Sequence, residues 1–225
     1  MIVSIHQPDF FPYPGFFNKI FYSDVFVILD RTQFEFGITN RNKIITPEGS
    51  WTRISIPVKK NQKFFQINNV KINNDIDWRR RNLELISKSY NKANFFDLYT
   101  AEINSIFDEK WEYLLELNVK ILKTVFKWLD IKTKILFESE LTISGESSEK
   151  LLNICKEVDA TTYLSGIGGK NYLDKKIFQE NKIDVRYQEY NPISYTQINS
   201  RVFVPNLSIL DLLFNTGLKS KKFIS

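Results

Sequence analysis

The sequence contains only one cysteine, one histidine, eight glycines and seven prolines among its 225 residues. A single cysteine excludes a disulfide framework and is typical of the reducing cytoplasm, where we expect this protein to act. So few glycines and prolines exclude fibrous and disordered classes. One histidine and no cysteine cluster leave only carboxylates as metal ligands, so we predict no metal site and no cofactor.

Long apolar runs are also missing, and none approaches the roughly 20 residues that a membrane-spanning helix needs. The short N-terminal apolar run has no basic region before it, so we do not expect a signal peptide. The net charge is +5, but the basic groups are short and no nucleic-acid-binding motif is present. We therefore expect no nucleic-acid partner and a preference for an anionic small substrate.

What the sequence does contain is 43 % hydrophobic and 15 % aromatic residues, enough for a packed core. The length predicts one domain over residues 1 to 225. We predict an α/β fold, with a mixed sheet built from βαβ units, a β-hairpin insertion and a helical lobe.

The first thirty residues predict a βαβ unit, with strands at 2–5 and 25–29 around a proline-rich loop and a helix. Ligands of such units bind outside the carboxyl ends of the strands. His6 and Asp30 follow those two ends, so we expect them to face one crevice. A structural histidine that caps a turn is the alternative for His6, although loops on a rigid scaffold often carry function.

Later segments complete this fold. Alternating runs on either side of a Pro-Glu-Gly turn predict the hairpin at residues 38 to 58. Apolar spacing predicts a helical lobe at 75 to 130, whose third helix runs from 109 to 129. Strands are expected at 133–137, 162–164 and 184–190, and a helix through Phe178 is expected after the second of them. Residues 217 to 225 are basic and polar, and we expect them to be frayed.

Several polar residues leave two interpretations open. Asn118 lies in the apolar stripe of a predicted helix, as either a core amide or a ligand contact. Asn40, Arg41, Asn42 and Lys43 stand at the hairpin entrance, where they are either solvated or lining the crevice. Ser208 and Asp211 resemble a capping box, which leaves Asn206 free to reach the crevice.

The glycine turn at residues 165 to 169 is either an anion site or a plain turn. Its spacing matches neither the dinucleotide nor the Walker fingerprint, so ATP hydrolysis is unsupported. Cys155 faces inward on an amphipathic helix, as a core residue rather than a nucleophile.

The chain resembles the WbqC-like family, which is associated with bacterial O-antigen and surface-polysaccharide gene clusters. The opening match is His-Gln-Pro, then Pro-x-Pro-Gly-Phe-Phe-x-Lys-Ile and Asp-x-Phe-Val-x-Leu-Asp. Three further segments match in family order: residues 40–44 before Trp51, residues 163–173 and residues 206–215. Tyr13 stands where we expect the family to favour tryptophan, and it retains the capacity for stacking.

We predict that these segments converge on one pocket, because their polar residues sit at element ends. The predicted catalytic residues are His6 and Asp30. The predicted substrate-binding residues are Gln7, Tyr13, Lys19, Asn40, Arg41, Asn118, Ser165, Gly166, Gly169, Tyr172 and Asn206.

Three classes of function compete. The first is a transferase of surface-polysaccharide (lipopolysaccharide O-antigen) biosynthesis, which moves an acyl or aminoacyl group onto an amino group of a nucleotide-linked sugar. His6 would be its general base, oriented by Asp30, and the glycine turn or Asn40 would supply oxyanion donors. Its partners would be the nucleotide-linked sugar and an acyl or aminoacyl carrier protein or coenzyme A thioester.

The second class is a nucleotidyltransferase-like enzyme, although such enzymes usually carry two histidines in the loop after the first strand. The third is a non-catalytic sugar-nucleotide-binding protein of the assembly pathway, in which His6 would be structural.

Overall fold

Seven β-strands are divided between two sheets in the computed structural model, which describes residues 1–225. In chain order they are β1 (Ile2–His6), β2 (Val25–Ile28), β3 (Arg41–Ile45), β4 (Trp51–Ser55), β5 (Lys134–Phe137), β6 (Thr162–Ser165) and β7 (Asp184–Tyr187). Strands β3 and β4 form an antiparallel hairpin, and the other five form one sheet in the order β5-β2-β1-β6-β7. The predicted α/β fold and hairpin are confirmed. The five-stranded sheet is parallel in every pair rather than mixed, and β3 and β4 are the antiparallel strand pair.

The central strand β1 has a neighbour on each side, β2 and β6. The chain first builds outward from β1 through β2 to β5, and then returns to add β6 and β7 on the opposite side. The gap between β1 and β6 is therefore a topological switch point. In open parallel sheets a crevice forms there, beyond the carboxyl ends of the strands, and it is where ligands bind.

Seven α-helices accompany the sheets. They are α1 (Pro14–Phe21), α2 (Trp78–Tyr90), α3 (Phe96–Asp108), α4 (Leu114–Leu129), α5 (Ser147–Glu157), α6 (Lys175–Glu180) and α7 (Ile209–Thr216). Helices α2, α3 and α4 form the predicted helical lobe. No helix has both the length and the apolar composition needed to cross a membrane.

The alternation of side chains along β1 and β2 divides the apolar core into two clusters. Val3 and Val25 face the smaller cluster, which includes Leu152 and Cys155 of α5. Phe26 faces the larger cluster, which extends into the hairpin, the helical lobe and α7. Both faces of this sheet are covered, as a parallel sheet requires. The expectation that Cys155 is a core residue agrees with its complete burial.

Two helix starts differ from the sequence prediction. Helix α4 begins at Leu114 rather than at residue 109, because Tyr113 is extended and forms a bridge with Lys71. After the glycine turn, residues Ile167–Asn171 form a 3-10 helix. Helix α6 then begins only at Lys175, where the Asp174 side chain accepts a hydrogen bond from the Lys176 N–H and caps the helix.

The C-terminal segment is ordered, contrary to the expected fraying. Residues Gly217–Phe223 form a 3-10 helix, and Ile224 is completely buried in the larger apolar cluster. The Asn18 amide of α1 donates to the Ile224 carbonyl at 2.9 Å. These contacts could not be predicted from the basic composition of the segment, because they are made with distant parts of the chain.

Candidate functional site

A cleft of about 630 Å³ lies beyond the carboxyl ends of β1, β6 and β7. Residues that follow all three strands line it, among them Asp9 and Tyr13 after β1, Ile167 after β6 and Tyr190 after β7. The hairpin and the segment before α7 close the other side. They contribute Asn42, Lys43 and Asn206. Five segments from distant parts of the chain therefore meet around one cavity.

The loop between β1 and α1, residues 7–13, is referred to below as the proline loop. Pro8 and Pro12 have no N–H to donate, so the loop has few backbone donors of its own. Its carbonyl oxygens are instead bound by donors from distant segments. These bonds are Asn118 Nδ2 to Pro8 O (2.8 Å), Asn42 Nδ2 to Phe10 O (3.2 Å) and Phe11 O (2.9 Å), and Ile209 N to Pro12 O (2.8 Å). The helical lobe, the hairpin and α7 thus fix the loop in place.

The first turn of α1 also packs tightly against the cleft. Gly15 has no room for a Cβ atom, since the rings of Tyr13 and Tyr190 occupy that space. Gln188, just after β7, donates to the Gly15 carbonyl and to the Asn18 side chain, both at 2.6 Å. Two aromatic rings are thereby held at the rim of the cleft.

His6 ends β1 with its ring partly open to solvent, the side chain being 34 % exposed. Its Nδ1 lies 3.0 Å from the Gln7 carbonyl oxygen. A carbonyl oxygen only accepts hydrogen bonds, so this contact assigns the proton of the neutral ring to Nδ1. The Nε2 atom then carries the free lone pair. Phe16 packs edge-on against the ring, with the centroids 5.2 Å apart.

Two buried charged side chains surround this imidazole. Asp9 Oδ2 lies 3.8 Å from His6 Nδ1, and the Lys19 ammonium donates to the Ile5 carbonyl at 3.4 Å. The other Asp9 oxygen, Oδ1, is buried without a hydrogen-bond partner. Because Asp9 also lines the cleft, it connects His6 with the cavity and offers an unused acceptor.

Burial governs the protonation of all three groups. It lowers the pKa of His6, and the positive charge of Lys19 lowers it further, while the bond to the Gln7 carbonyl opposes the shift. Burial raises the pKa of Asp9 and lowers that of Lys19, and the attraction between these two groups opposes both shifts. The imidazole is therefore neutral at pH 7, as a base must be before it accepts a proton.

Comparison with known proteins identifies the family of the chain. The model of the WbqC-like protein family matches residues 7–223. The chain belongs to the WbqC-like protein family. It is also similar to "Uncharacterized protein Rv1507c" of Mycobacterium tuberculosis (strain ATCC 25618 / H37Rv), at 30 % identity over 226 residues, which cover 99 % of this chain and 96 % of that one. No solved structure matches significantly.

Membership in the WbqC-like family suggests a protein associated with polysaccharide gene clusters. Signature segments of this WbqC-like chain contribute Asp9, Tyr13, Asn42, Lys43, Ile167 and Asn206 to the cleft. Tyr13 and Asn206, both predicted from the sequence, line the cavity directly. Asn206 adopts a left-handed backbone conformation (φ 57°), which asparagine tolerates better than most residues.

Two of the predicted binding residues instead hold loops together in this WbqC-like chain. Asn118 uses its amide on the Pro8 and Thr39 carbonyls, which is the core-amide role left open by the sequence. Asn40 donates to the Ile56 carbonyl and accepts from the Gly37 N–H. The Asn40 amide thus uses one of its two hydrogens to hold the hairpin, and Asn40 does not line the cleft.

Asp9, and not the predicted Asp30, is the carboxyl group beside His6. Asp30 Oδ1 accepts from the Ser139 N–H at 3.0 Å, whereas the carboxylate beside His6 belongs to Asp9. Gln7 supports the region through its side chain, which accepts from the Thr39 hydroxyl at 3.3 Å.

The glycine turn is compact at one glycine and open at the others. A Cβ atom on Gly169 would collide with the Ser165 hydroxyl, whereas Gly166 and Gly168 face open space. Ile167 and Gly168 begin the 3-10 helix, so their N–H groups have no partner within it. Tyr172, at the end of the turn, is 63 % exposed.

Sequence reasoning missed Asp9 and Tyr190. Tyr190 follows a strand end, the signal that selected His6 and Asp30, but the predicted strand extended through residue 190 and hid it. Asp9 was overlooked because only its burial beside Lys19 distinguishes it from a solvated loop carboxylate.

The predicted capping box before α7 is only half formed. The Ser208 hydroxyl accepts from the Leu210 N–H and caps the helix. The Asp211 carboxylate instead accepts from Tyr90, Tyr195 and Gln197 in the interior. Its role is to join α7 to α2 and to the segment before α7.

Proposed function

We propose that this WbqC-like protein is a transferase that forms an amide on an amino group of a nucleotide-linked sugar, with His6 as its general base. The observation that carries the proposal is the orientation of the imidazole. Its Nδ1–H is donated to the Gln7 carbonyl, and Nε2 is left as the acceptor at the switch point of the sheet. A base must be held within hydrogen-bond reach of its proton. His6 does not itself line the cleft, but it is fixed next to Asp9, which does.

The reaction balances with the groups available and an acyl donor such as a coenzyme A thioester. The sugar amine attacks the thioester carbonyl, a C–N bond forms, and His6 Nε2 accepts a proton from the nitrogen. The C–S bond then breaks, and the proton passes from His6 to the leaving thiolate. Because burial and Lys19 both disfavour a charged imidazole, the proton is readily released.

Neighbouring groups assist in this scheme. The Asp9 carboxyl lies 3.8 Å from Nδ1. Burial raises its pKa to about 8 and the charge of Lys19 opposes that shift, so a positive charge that develops on the ring favours the ionised form of Asp9, which then offsets that charge. The open N–H groups of Ile167 and Gly168 are candidates for stabilising the oxyanion of the tetrahedral intermediate. Tyr13 and Tyr190 flank the cleft as stacking surfaces for the acceptor sugar.

The test is an assay by mass spectrometry with a panel of nucleotide-linked amino sugars and acyl-coenzyme A thioesters. We expect an amide product, and we expect His6→Ala and His6→Gln to lower the rate by about 10² to 10⁴ while remaining folded. Asp9→Asn should lower the rate, whereas Asp30→Asn should leave it near wild type because Asp30 bonds Ser139. Full activity in a folded His6→Ala protein would refute the base role.

Nucleotidyl transfer is the second candidate, and the strand order favours it. The first strand of the parallel sheet is central and ends in His6, just before a loop and a helix. This resembles the arrangement of nucleotidyltransferase-like enzymes, which carry histidines in the loop after the first strand. The single histidine counts against it. Release of pyrophosphate from a nucleoside triphosphate in the presence of a sugar phosphate would support this reaction over amide formation.

A further inference from the structure

A second concave surface lies between the hairpin and α2, and the mechanism above does not use it. This arginine groove has a volume of about 380 Å³, and its rim carries Arg41 of β3, Arg53 of β4 and Arg81 of α2. No carboxylate lines it. Two of the residues predicted from the sequence, Asn40 and Arg41, belong to this groove rather than to the cleft.

The three arginines have no counter-charge within the protein. The ion pairs of the chain engage Arg80 and Arg186 but none of Arg41, Arg53 and Arg81. The contrast is sharpest within α2. Arg79 donates to the Asn74 side chain and to the Glu109 backbone carbonyl, and Arg80 pairs with Asp77, whereas Arg81 lines the groove without a partner.

The hairpin extends this positive charge toward the cleft. Lys43 and Arg53 are directly opposite each other in the register of β3 and β4, an unfavourable pairing of like charges. Both lie over the Trp51 ring, at 4.7 Å and 4.8 Å from its centroid. Lys43 lines the cleft and Arg41 lines the groove, only two residues apart and so roughly 7 Å along the strand. The two cavities are therefore neighbours joined by a basic edge.

Exposed apolar groups accompany the charges. Phe36 and Ile76 both line the groove, and they are 55 % and 47 % exposed. A guanidinium presents a planar fork that matches phosphate oxygens, and an exposed aromatic ring stacks on a base. Unpaired arginines beside an exposed phenylalanine fit a ligand that has both phosphates and a base.

We propose that the arginine groove binds the diphosphate of a nucleotide, with the base against Phe36. Two sources share this chemistry, the nucleoside diphosphate of the acceptor sugar and coenzyme A. The assignment of the groove to a substrate rests on the function proposed above, but the binding itself does not.

Isothermal titration calorimetry with UDP, coenzyme A and inorganic pyrophosphate tests the groove. We expect at least one nucleotide to bind more tightly than pyrophosphate. Arg81→Gln should weaken that binding by about ten-fold to a hundred-fold, as expected for the loss of a charge-assisted hydrogen bond. The matched control, Arg80→Gln, removes the same charge from the same helix and should have little effect. Phe36→Ala should weaken nucleotide binding but not pyrophosphate binding.

The outcomes separate this inference from the transferase proposal. Three results would each overturn the proposal that the groove binds a nucleotide. They are equal losses of affinity in Arg81→Gln and Arg80→Gln, equal affinity for pyrophosphate and both nucleotides, and no binding at all. If His6→Gln retains nucleotide binding and no acyl transfer is found, nucleotide binding in the groove is supported and the proposed transfer reaction is refuted. If transfer proceeds at equal rates in wild type and Arg81→Gln, the transfer reaction is supported and nucleotide binding in the groove is refuted.

Discussion

The chemistry of His6 is set by neighbours that burial brings together. The ring would titrate near its ordinary value of 6.5 in an extended chain. In the folded protein it is enclosed by Phe16 and adjoins Asp9 and Lys19, and the effects of burial and of the lysine exceed that of the Gln7 carbonyl. The outcome is a base that stays neutral at pH values where a solvated histidine takes up a proton.

The first prediction is that the His6 ring titrates below pH 6.5. Because the chain has one histidine, its ring signals in an NMR pH titration report this residue alone. The lowered pKa also has a consequence for stability. As the pH falls below about 6.5, His6 of the unfolded chain becomes protonated whereas His6 of the folded protein stays neutral. The free energy of unfolding therefore decreases with acidification until the pH reaches the folded pKa.

Stability measurements on a variant check the sign of this effect. His6→Gln removes the titrating group, so its stability should decline less than that of wild type between neutral pH and pH 5. Denaturation in urea at each pH gives the comparison. A ring midpoint at or above 6.5, or a steeper decline in the variant, would contradict the burial account.

At the scale of secondary-structure elements, α4 positions the proline loop. Asn118 is almost fully buried and donates to the Pro8 carbonyl at 2.8 Å and to the Thr39 carbonyl at 2.7 Å. One amide therefore holds together the helical lobe, the loop after His6 and the entrance to the hairpin. The Asn118 side chain acts on the cleft through position rather than through contact with a ligand.

The second prediction is that Asn118→Ala destabilises the protein and disturbs the cleft. Each buried carbonyl left unpaired costs about 1 to 3 kcal/mol, and the substitution leaves two. Urea denaturation measures the loss. The control is Asn181→Ala, since Asn181 also donates to a carbonyl but is exposed, and it should change stability by less than about 0.5 kcal/mol. Equal effects of the two substitutions would show that the anchor is unimportant.

Sequence patterns identified elements whose signals are local. The Pro-Glu-Gly turn predicted the hairpin, and the apolar spacing predicted the helical lobe. Both succeeded because turn conformation and helical periodicity depend on residues that are close together in the sequence. Strand ends also located His6 correctly at the carboxyl edge of the sheet. The pairing of Asp9 with His6, in place of Asp30, was not predictable, since it depends on which side chains become buried together.

At the scale of the whole molecule, the cleft exists because distant segments close around it. The Pro12 carbonyl accepts from the N–H of Ile209, and the Lys43 carbonyl accepts from the N–H of Ser208, so the start of α7 joins the proline loop and the hairpin. The C-terminus then returns to α1 through the bond between Asn18 and Ile224, 206 positions apart. Contacts of such separation have no local sequence signal, which is why the ordered C-terminus was missed.

The last prediction concerns this closing contact. Ile224 is fully buried in the larger apolar cluster, so Ile224→Ala removes side-chain volume from a packed site and should cost about 2 to 5 kcal/mol. In a chain of this size each kcal/mol lowers the melting temperature by about 2 to 4 °C. Leu218→Ala is the matched control, because Leu218 lies in the same 3-10 helix but is 80 % exposed, and we expect it to melt near wild type. If both variants melted like wild type, the segment would be frayed as its composition first suggested, and α1 would lack its C-terminal support. If only Ile224→Ala loses stability, the end of the chain is part of the core that holds α1 beside the cleft.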